Sequence, residues 1–319
     1  MRKNILILAA GGGHTGYAYA LAEELHHKAS LSFLVPHGDS LSAKRLSKFG
    51  QVRFLLKARE PKTPNHVFVV RFVKAFLDSF KLDFRQFDVV VSAGSNFCIP
   101  PAIVAWMRGV PIVNIESPVR FVNPSKSARA LQHFSKLTAL HWEEQAKLLK
   151  GVVVGPILPK PKVEPSNKGY ILVSGGTYGH KLLFDTLTES SLPNIVLQTG
   201  KVNPLPYLKR HPEWEAFTVS DRFHELIANA ELVVTHLGVT VLESMVYKKP
   251  VVLVPNPEWT RTGSMEDAKQ LAKKINAVLV SEIELETLLK AIQEARKRKI
   301  PAFQDGAKNL ANIILSSLS

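Results

Sequence analysis

The chain has 319 residues, of which 45% are hydrophobic, and a formal net charge of +14 at pH 7. This length predicts two domains, while the single cysteine, Cys98, excludes an internal disulfide framework and a cysteine-based metal cluster and indicates a reducing, cytoplasmic setting. The first apolar run, 5–10, is short and ends in glycine, so no signal peptide is expected. No apolar run approaches about 18 residues, so no transmembrane helix is expected either.

The positive charge is concentrated in the first half of the chain. Residues 1–156 contain 21 Lys and Arg against 10 Asp and Glu, whereas the remainder contains 20 against 17. Such a field favours an anionic partner, which could be nucleic acid, an anionic membrane surface or a phosphorylated substrate. No zinc-finger, basic-zipper or RNP-type motif accompanies the charge, and we therefore expect no nucleic acid partner.

Short apolar strands alternate with amphipathic helical segments along the chain, which is typical of parallel sheets covered on both faces. The predicted strands are 5–9, 32–35, 52–56, 89–92, 112–115, 136–139, 152–154, 169–174, 194–198, 217–219, 232–235, 251–254 and 277–280. The proline-rich stretch 157–168 predicts a linker between a first domain, 1–156, and a second, 169–304. Residues 305–319 predict an amphipathic helix that packs back toward the first domain.

The first strand runs into the motif AAGGGHTG, residues 9–16. Its glycines permit a tight turn, and the helix that follows offers free N–H groups to an anion. The match to a dinucleotide site is weak, because the spacing differs from G-x-G-x-x-G and Asp39 follows only after a proline and a glycine. His14 either caps the helix or fills space, or it supplies a side chain that titrates near neutrality.

The second half contains two further strand–turn–helix motifs. YILVSGGTYGHKLL, residues 170–183, has a glycine loop that suits a phosphate. VVTHLGVTVLESMVYKKPVVLVP, residues 233–255, puts Gly238, Thr240 and Glu243 around the first turn of one helix. A carboxylate there suits the two hydroxyls of a ribose, but the same spacing also fits a capping box formed by Thr240 and Glu243, and both interpretations can hold together.

These motifs resemble a known family. The segment THLGVTVLESMVYKKPVVLVPN and the QTGK of residues 198–201 are similar to the donor domain of GT-B glycosyltransferases that use UDP-N-acetylglucosamine (UDP-GlcNAc). GGGHTG, VVVSAGSNFCIPPAIVAWMRGVPIVNIES and VRFVNPSKSARALQHFSKLTALHWEEQAKL resemble the membrane-recruiting subunit of the eukaryotic enzyme that builds dolichol-linked chitobiose. The first two of these also fit the bacterial enzyme that forms lipid II. The chain thus looks like both eukaryotic subunits fused, as in an archaeal N-glycan priming transferase.

The resemblance implies two Rossmann-like, doubly wound α/β domains that face each other across a cleft in the GT-B manner. It implies inverting transfer of N-acetylglucosamine (GlcNAc) from UDP-GlcNAc to a polyprenyl- or dolichyl-pyrophosphate-linked sugar, forming β1,4-linked chitobiose in N-glycan assembly. A nucleotide-sugar epimerase of the same fold and a non-catalytic sugar-nucleotide-binding subunit are the alternatives.

The site residues that the resemblance implies fall into three groups. His14 and Glu116 form the acceptor-side catalytic pair, in an order that the sequence does not assign; alternatively, Glu116 is solvated or paired with Arg120. The expected acceptor-binding residues are Gly12, Gly13, Thr15 and Asn96. The expected donor-binding residues are Gly175, Gly176, Thr177, Gln198, Gly200, His236, Gly238, Thr240 and Glu243.

Two features concern the donor more closely. No D-x-D cluster is present to bind Mg²⁺, so we expect neither a metal nor any other cofactor besides the UDP-sugar substrate. The His–Gln pair that contacts the donor sugar in the relatives is replaced by Gly263 and Ser264, which leaves the donor sugar open; Glu266 or Gln270 could substitute.

The segment 66–84 concerns the acceptor. Its apolar residues recur at near-helical spacing between Arg71, Lys74 and Lys81, which fits a helix that lies on an anionic membrane, although an ordinary core-facing helix has the same pattern. The apolar set is Val69, Val70, Val73, Phe76, Leu77 and Phe80. We expect a lipid-linked acceptor, peripheral association with the cytoplasmic face of the membrane, and a possible homodimer.

Overall fold

The computed structural model describes residues 2–60, 63–258 and 262–317. The chain divides into two compact units, Met1–Pro159 with Phe303–Ser319 and Lys160–Ala302. The boundary, between residues 159 and 160, falls inside the predicted linker. The rest of the linker is bonded to the second unit: the backbone N–H groups of Ser166 and Lys168 donate to the carbonyl oxygens of Ala228 and Asn229, both at 2.9 Å. Residues 160–168 are therefore part of the second unit.

Each unit is built on one parallel sheet. Among the described residues, the first sheet has seven strands in the order β3-β2-β1-β4-β5-β6-β7 and the second has six in the order β10-β9-β8-β11-β12-β13. The strands are β1 (Lys3–Leu8), β2 (Ala29–Pro36), β3 (Gly50–Leu55), β4 (Val89–Ser92), β5 (Ile112–Ile115), β6 (Leu137–Leu140), β7 (Val152–Val153), β8 (Ile171–Ser174), β9 (Ile195–Gln198), β10 (Glu215–Phe217), β11 (Leu232–Thr235), β12 (Val251–Leu253) and β13 (Val278–Leu279). Every predicted strand is present within three residues of its predicted bounds.

Helices connect the strands. They are α1 (Gly13–Leu25), α2 (Ser40–Leu46), α3 (Asn65–Phe80), α4 (Ile99–Met107), α5 (Lys126–Leu131), α6 (Lys181–Leu187), α7 (Leu205–Arg210), α8 (Phe223–Asn229), α9 (Val239–Val246), α10 (Met265–Ile275), α11 (Leu285–Ala295) and α12 (Gly306–Ser317). The C-terminal helix α12 belongs to the first unit and packs against α1; the last two residues of its predicted segment lie outside the described residues. None of the described helices is long and apolar enough to cross a bilayer.

The central strands are apolar because both faces of each sheet are covered. Val89, Val90 and Val91 in β4 and Val233 and Val234 in β11 are fully buried. Continuous apolar runs of this kind are typical of strands in a parallel sheet, where no face meets water. The polar groups that could bind a ligand therefore lie beyond the strand ends.

The direction of winding reverses once in each sheet. The chain passes from β1 outward to β2 and β3 and then returns to place β4 beside β1; in the second unit it passes from β8 to β9 and β10 and returns to place β11 beside β8. Ligands of open parallel sheets bind outside the carboxyl ends of the strands at this reversal. We call loops 9–13 and 93–96 the first switch point, and loops 175–180 and 236–238 the second.

Candidate functional site

His14 lies at the first switch point as the second residue of α1. Its Nδ1 is 2.8 Å from the carbonyl oxygen of Ala93, which can only accept, so Nδ1 carries a proton and donates it. In the neutral ring, Nε2 is then an unprotonated acceptor. The N-cap of α1 is Gly12, and no side chain caps the helix, so the capping interpretation of His14 is wrong.

The protonation state of His14 suits a general base. Burial lowers the pKa of His14, the hydrogen bond to Ala93 opposes this, and the charge of Lys57 lowers it further. A lowered pKa keeps the imidazole neutral at pH 7 and Nε2 ready to accept a proton.

The second loop of this switch point packs closely against His14 at Gly94, where a side chain would crowd the imidazole. Its φ is +92°, and a Cβ at this position would lie 3.0 Å from His14 Nδ1 and 3.7 Å from the carbonyl oxygen of Ile115. The next residue, Ser95, has φ 76° and ψ 158°, a region that is essentially confined to glycine and costs other residues about 1–3 kcal/mol. Strain of this kind is concentrated at ligand-binding sites.

Asn96 has an unpaired atom in this strained loop. Its Oδ1 is buried and has no hydrogen-bond partner among the described residues. Leaving a buried acceptor unpaired costs about 1–3 kcal/mol, which a hydroxyl or amide N–H of a ligand would recover. Asn96 therefore remains a candidate for binding the acceptor, as do Gly12, which is exposed with open space around its Cα, and Gly13, the first residue of α1.

Glu116 does not have the environment of a catalytic carboxylate. Only 1% of its surface is exposed, and its two oxygens accept from the backbone N–H groups of Ser117 at 2.5 Å and Ser125 at 2.9 Å. Burial raises its pKa, while these hydrogen bonds and the charge of Arg120 oppose the rise. Glu116 is neither solvated nor free to reach an acceptor. It joins the two ends of the loop 117–125, and we therefore expect it to act as a positioning residue rather than as a member of the catalytic pair.

His141 is a further residue of this region that the sequence did not reveal. Its Nε2 donates to the carbonyl oxygen of Glu116 at 2.9 Å, and its Nδ1 accepts from the N–H of Ile157 at 3.2 Å. Both bonds require the neutral ring, and burial lowers its pKa to about 4. Tyr17 lies between this ring and His14, with ring centroids 5.6 Å and 6.1 Å away. His141 thus fixes the backbone of Glu116, and no local sequence signal marks it.

Thr15 is also corrected. Its side chain is 1% exposed, and its Oγ1 lies 2.7 Å from Oγ of Ser42, whose hydroxyl donates to Oδ2 of Asp39 at 2.6 Å. The hydroxyl of Thr15 therefore joins α1 to the start of α2.

The second switch point is built around His236. A Cβ on Gly176, whose φ is +65°, would lie 2.8 Å from His236 Nε2, and one on Gly238 would lie 3.2 Å from the same atom. The imidazole thus lies between Gly176 of the glycine loop and Gly238 of its own loop. Burial lowers its pKa to about 4, with a smaller contribution from the charge of His180.

His180 belongs to the same cluster and was missing from the predicted donor residues. It is 1% exposed, its Nδ1 accepts from the N–H of Leu183 at the start of α6, and its Nε2 has no partner among the described residues. Burial lowers its pKa to about 4. The glycine loop therefore lies beside two neutral imidazoles.

The donor amides predicted in this loop are only partly available. The N–H of Gly175 donates to the carbonyl oxygen of Gln198 at 3.2 Å, and that of Gly176 donates to Ser174 Oγ at 3.3 Å. Among the described residues, the N–H of Thr177 has no such partner. The exposed Thr177 therefore remains a candidate for binding the donor, and Gly175 and Gly176 shape the loop.

Gln198 and Gly200 also act inside the unit. Gln198 Oε1 accepts from the hydroxyl of Ser174 at 2.8 Å, and its Nε2 donates to the carbonyl oxygens of Gly176 at 3.2 Å and Thr218 at 2.7 Å. The N–H of Gly200 donates to the carbonyl oxygen of Thr218 at 3.1 Å. Both residues position the glycine loop, and the prediction that Gln198 contacts the donor directly is corrected.

Thr240 and Glu243 lie in α9, which begins at Val239 with Gly238 as its N-cap and has no side-chain cap. Thr240 is therefore inside the first turn, and the capping-box interpretation is wrong. Its buried Oγ1 lies 3.4 Å from Ser174 Oγ. Glu243 follows about one turn later and is half-buried, a position that keeps it a candidate for a ribose.

The segment that would contact the donor sugar begins beyond residues 259–261, which lie outside the described part. Ser264 is the N-cap of α10, where its hydroxyl accepts from the N–H of Asp267 at 3.1 Å. Gln270 Nε2 donates to Glu266 Oε1 at 2.9 Å, so the two alternative substitutes for the His–Gln pair are hydrogen-bonded to each other. Across the described residues, no group of three His, Cys, Asp or Glu side chains could bind a metal ion.

The face of α3 is a separate feature of the first unit. Phe76 packs on the core, which corrects its place in the predicted apolar surface. The other members remain exposed, by 57% for Val69, 68% for Val70, 53% for Val73, 61% for Leu77 and 39% for Phe80. Arg71 and Lys74 are exposed along the same helix. One side of the helix therefore faces the core, while the other exposes apolar and basic side chains together, which an ordinary core-facing helix does not explain.

Known families match both halves of the chain. Residues 5–155 match the family described as oligosaccharide biosynthesis protein Alg14 like, and residues 170–315 match the glycosyltransferase family 28 C-terminal domain. The chain is 27% identical over 327 residues to the UDP-N-acetylglucosamine--N-acetylmuramyl-(pentapeptide) pyrophosphoryl-undecaprenol N-acetylglucosamine transferase of Myxococcus xanthus, covering 91% of this chain and 84% of the relative.

Solved structures share the same architecture. MurG of Acinetobacter baumannii superposes with a TM-score of 0.70 at 18% identity, covering 98% of this chain and 99% of that one. UDP-GlcNAc 2-epimerase of Neisseria meningitidis, bound to UDP-GlcNAc, superposes with a TM-score of 0.68 at 13% identity, covering 99% of both chains. The solved structures and the two switch points show that the chain has the GT-B fold, and the family 28 match and the named relative support a UDP-GlcNAc transferase.

Proposed function

We propose that the protein transfers GlcNAc from UDP-GlcNAc to a sugar linked to a polyprenyl pyrophosphate, with inversion at the anomeric carbon. The observation that carries the proposal is the hydrogen bond of His14. Its Nδ1 donates a proton to the carbonyl oxygen of Ala93, so its Nε2 is unprotonated and can act as a base. The glycine loop and α9 of the second unit supply the place for UDP. The similarity to lipid-linked GlcNAc transferases supports both substrate classes.

In the proposed reaction His14 Nε2 accepts the proton of an acceptor hydroxyl. The hydroxyl oxygen forms a bond to the anomeric carbon of GlcNAc as the bond from that carbon to the diphosphate breaks, and UDP departs with the electron pair. One bond forms and one breaks on opposite faces of the carbon, which inverts its configuration. General base catalysis of this kind contributes about 10²- to 10⁴-fold to a rate.

The acceptor that we propose is a polyprenyl pyrophosphate carrying GlcNAc, so that the product is β1,4-linked chitobiose. The match of residues 5–155 to an oligosaccharide biosynthesis family supports this choice, whereas the Myxococcus relative is named for an N-acetylmuramyl-(pentapeptide) pyrophosphoryl-undecaprenol acceptor. The surroundings of Asn96, with its unpaired Oδ1, are where the acceptor sugar would bind.

The test is an incubation of the purified protein with labelled UDP-GlcNAc and either of the two acceptors, followed by mass and linkage determination of the product. We expect a β1,4-linked disaccharide lipid from the GlcNAc acceptor, formed about 10²- to 10⁴-fold more slowly by His14→Ala protein. Product from the muramyl-pentapeptide acceptor alone would contradict the choice of acceptor. Conversion of UDP-GlcNAc to its 2-epimer without any acceptor would show an epimerase, and UDP binding without product would show a binding subunit.

We further propose that α3 docks on the cytoplasmic face of a membrane, where the lipid-linked acceptor resides. An exposed apolar stripe beside Arg71 and Lys74 fits the interface of an anionic bilayer, where each basic residue contributes about 1 kcal/mol. Charge reversal of Arg71 and Lys74 should release the protein from phosphatidylglycerol-containing vesicles in a sedimentation assay. The matched control is charge reversal of Lys209 and Arg210 in α7 of the second unit. Equal binding of both variants would contradict docking through α3.

A further inference from the structure

A sugar nucleotide would bring to the second switch point a charge that the residues described so far do not neutralise. The N–H groups of Gly175 and Gly176 already donate within the unit. Buried His180 and His236 are neutral at pH 7 because their pKa values are about 4. Negative charge also grows on the diphosphate as UDP departs, and this charge needs a preorganised partner.

Lys201 is placed where such a partner is needed. A Cβ on Gly200 would lie 2.2 Å from the carbonyl oxygen of Gly176 and 2.6 Å from that of Thr177, so the loop after β9 touches the glycine loop after β8. Lys201 follows Gly200 directly. Lys201 is the only Lys or Arg in the sequence of three loops at this end of the sheet. These loops follow β8, β9 and β11 and comprise residues 175–180, 199–204 and 236–238.

An aromatic ring positions this lysine. Lys201 Nζ lies 4.5 Å from the ring centroid of Tyr178, a residue of the glycine loop, and both side chains are exposed. An ammonium over an aromatic face is attracted to it without losing its charge. Lys181, at the start of α6, offers a contrast because its Nζ pairs with Asp185 at 2.5 Å. Within the described part of the chain, Lys201 has no acidic partner of this kind.

We infer that Lys201 binds the diphosphate of the sugar nucleotide and stabilises the departing UDP, and that Tyr178 positions its ammonium. The inference rests on the proposed function and adds to it the group that would supply the charge for metal-independent transfer. A lysine ammonium binds a phosphate as a point charge and does not need the fixed bidentate geometry of an arginine. The face of an aromatic ring is therefore enough to position it.

The experiment measures binding of UDP, UMP and uridine to the full-length protein by calorimetry. Lys201→Ala should weaken UDP binding by about 10- to 100-fold, the range expected for a charged hydrogen bond, and leave uridine binding unchanged. Lys201→Arg should recover most of the loss. Tyr178→Leu should weaken UDP binding several-fold, whereas Tyr178→Phe, which keeps the ring, should not. Lys181→Ala is the matched control and should bind UDP like the unmodified protein.

Turnover supplies a second readout that loss of structure would not reproduce. Because charge increases on the diphosphate in the transition state, Lys201→Ala should lower kcat/KM by more than it lowers the affinity for UDP. Circular dichroism of each variant reports folding. If the unmodified protein binds UDP and transfers the sugar but Lys201→Ala binds UDP equally well, the inference alone is wrong. If the unmodified protein binds no UDP, the inference and the proposed function are wrong together.

Discussion

The two switch points share one topology but place their histidines differently. At the first, His14 donates a hydrogen bond through Nδ1 to Ala93, and its Nε2, which has no hydrogen-bond partner among the described residues, can accept a proton. At the second, His236 lies against Gly176 and Gly238, in two loops suited to an anion. On the proposed function, the same reversal of a parallel sheet forms a general-base site in one unit and a phosphate-binding site in the other, and the side chain next to the loop determines which.

The largest expected effect tests the base. His14→Ala should lower kcat by about 10²- to 10⁴-fold, because the acceptor hydroxyl then loses its proton to water. The measurement is the initial rate with saturating substrates. His27→Ala, at an exposed histidine beyond the end of the same helix, is the control. Near-normal turnover of His14→Ala protein would show that His14 is not the base and would remove the proposed difference between the two switch points.

The contact between Gly94 and His14 can be disturbed without removing the base. Gly94→Ala places a methyl group 3.0 Å from His14 Nδ1, and displacement of a catalytic group by about 1 Å can cost about 10²-fold in rate. Gly109→Ala is the matched control. Gly109 has a similar φ of +79° but open space around it, so this variant introduces the same kind of backbone strain without a contact to His14. Equal rates for the two alanine variants would show that the position of His14 does not matter.

The fold followed from the sequence because its signals are local. Short apolar runs such as 89–92 and 112–115, in alternation with helical segments, predict buried strands, and their bounds match β4 and β5. The approach of Gly94 to His14 was not predictable, since it depends on β4 returning to the side of β1. The strain at Ser95 depends on the same packing.

The misassigned residues share a physical cause. Glu116 and Gln198 follow or end buried strands, as ligand-binding residues do, but backbone groups of neighbouring loops occupy their polar atoms. Sequence patterns do not show which backbone N–H or C=O groups need a partner. His141 was missed for the same reason, because both of its bonds are to backbone groups distant in sequence.

The positioning role of Glu116 predicts a stability effect that a base would not have. Glu116→Ala leaves the N–H groups of Ser117 and Ser125 without their acceptor, which should lower the free energy of unfolding by about 2–4 kcal/mol. Guanidinium denaturation measures this loss. Glu116→Gln retains one acceptor oxygen and should keep the pH dependence of kcat. Loss of the acidic limb of that profile in a stably folded Glu116→Gln protein would restore Glu116 as the base.

Acid should weaken the protein through its buried histidines. The pKa of His141 is about 4 in the folded chain, against an ordinary value of 6.5 for histidine, so the unfolded chain binds more protons between these values. The free energy of unfolding therefore falls as pH decreases from 6.5 toward 4, by about 1.4 kcal/mol per pH unit for each such group. His141→Gln should reduce the slope by that amount in denaturation series at pH 6.5, 5.5 and 4.5. An unchanged slope would contradict the neutral, doubly bonded ring.

The smallest expected effect concerns metal ions. The described residues offer no group of three ligands, and the sequence contains no D-x-D cluster. We expect the transfer rate to be the same in excess EDTA and in millimolar Mg²⁺. A strong dependence on Mg²⁺ would mean that the second switch point is completed by a cation other than a side chain.

The most direct test of the division between the two switch points is the affinity for UDP, measured by calorimetry on His14→Ala and His236→Ala proteins. We predict that His14→Ala binds UDP like the unmodified protein although its turnover is lost, while His236→Ala binds UDP at least several-fold more weakly. Loss of UDP binding in His14→Ala, with normal binding in His236→Ala, would place the nucleotide at the glycine loop of the first unit and contradict this division.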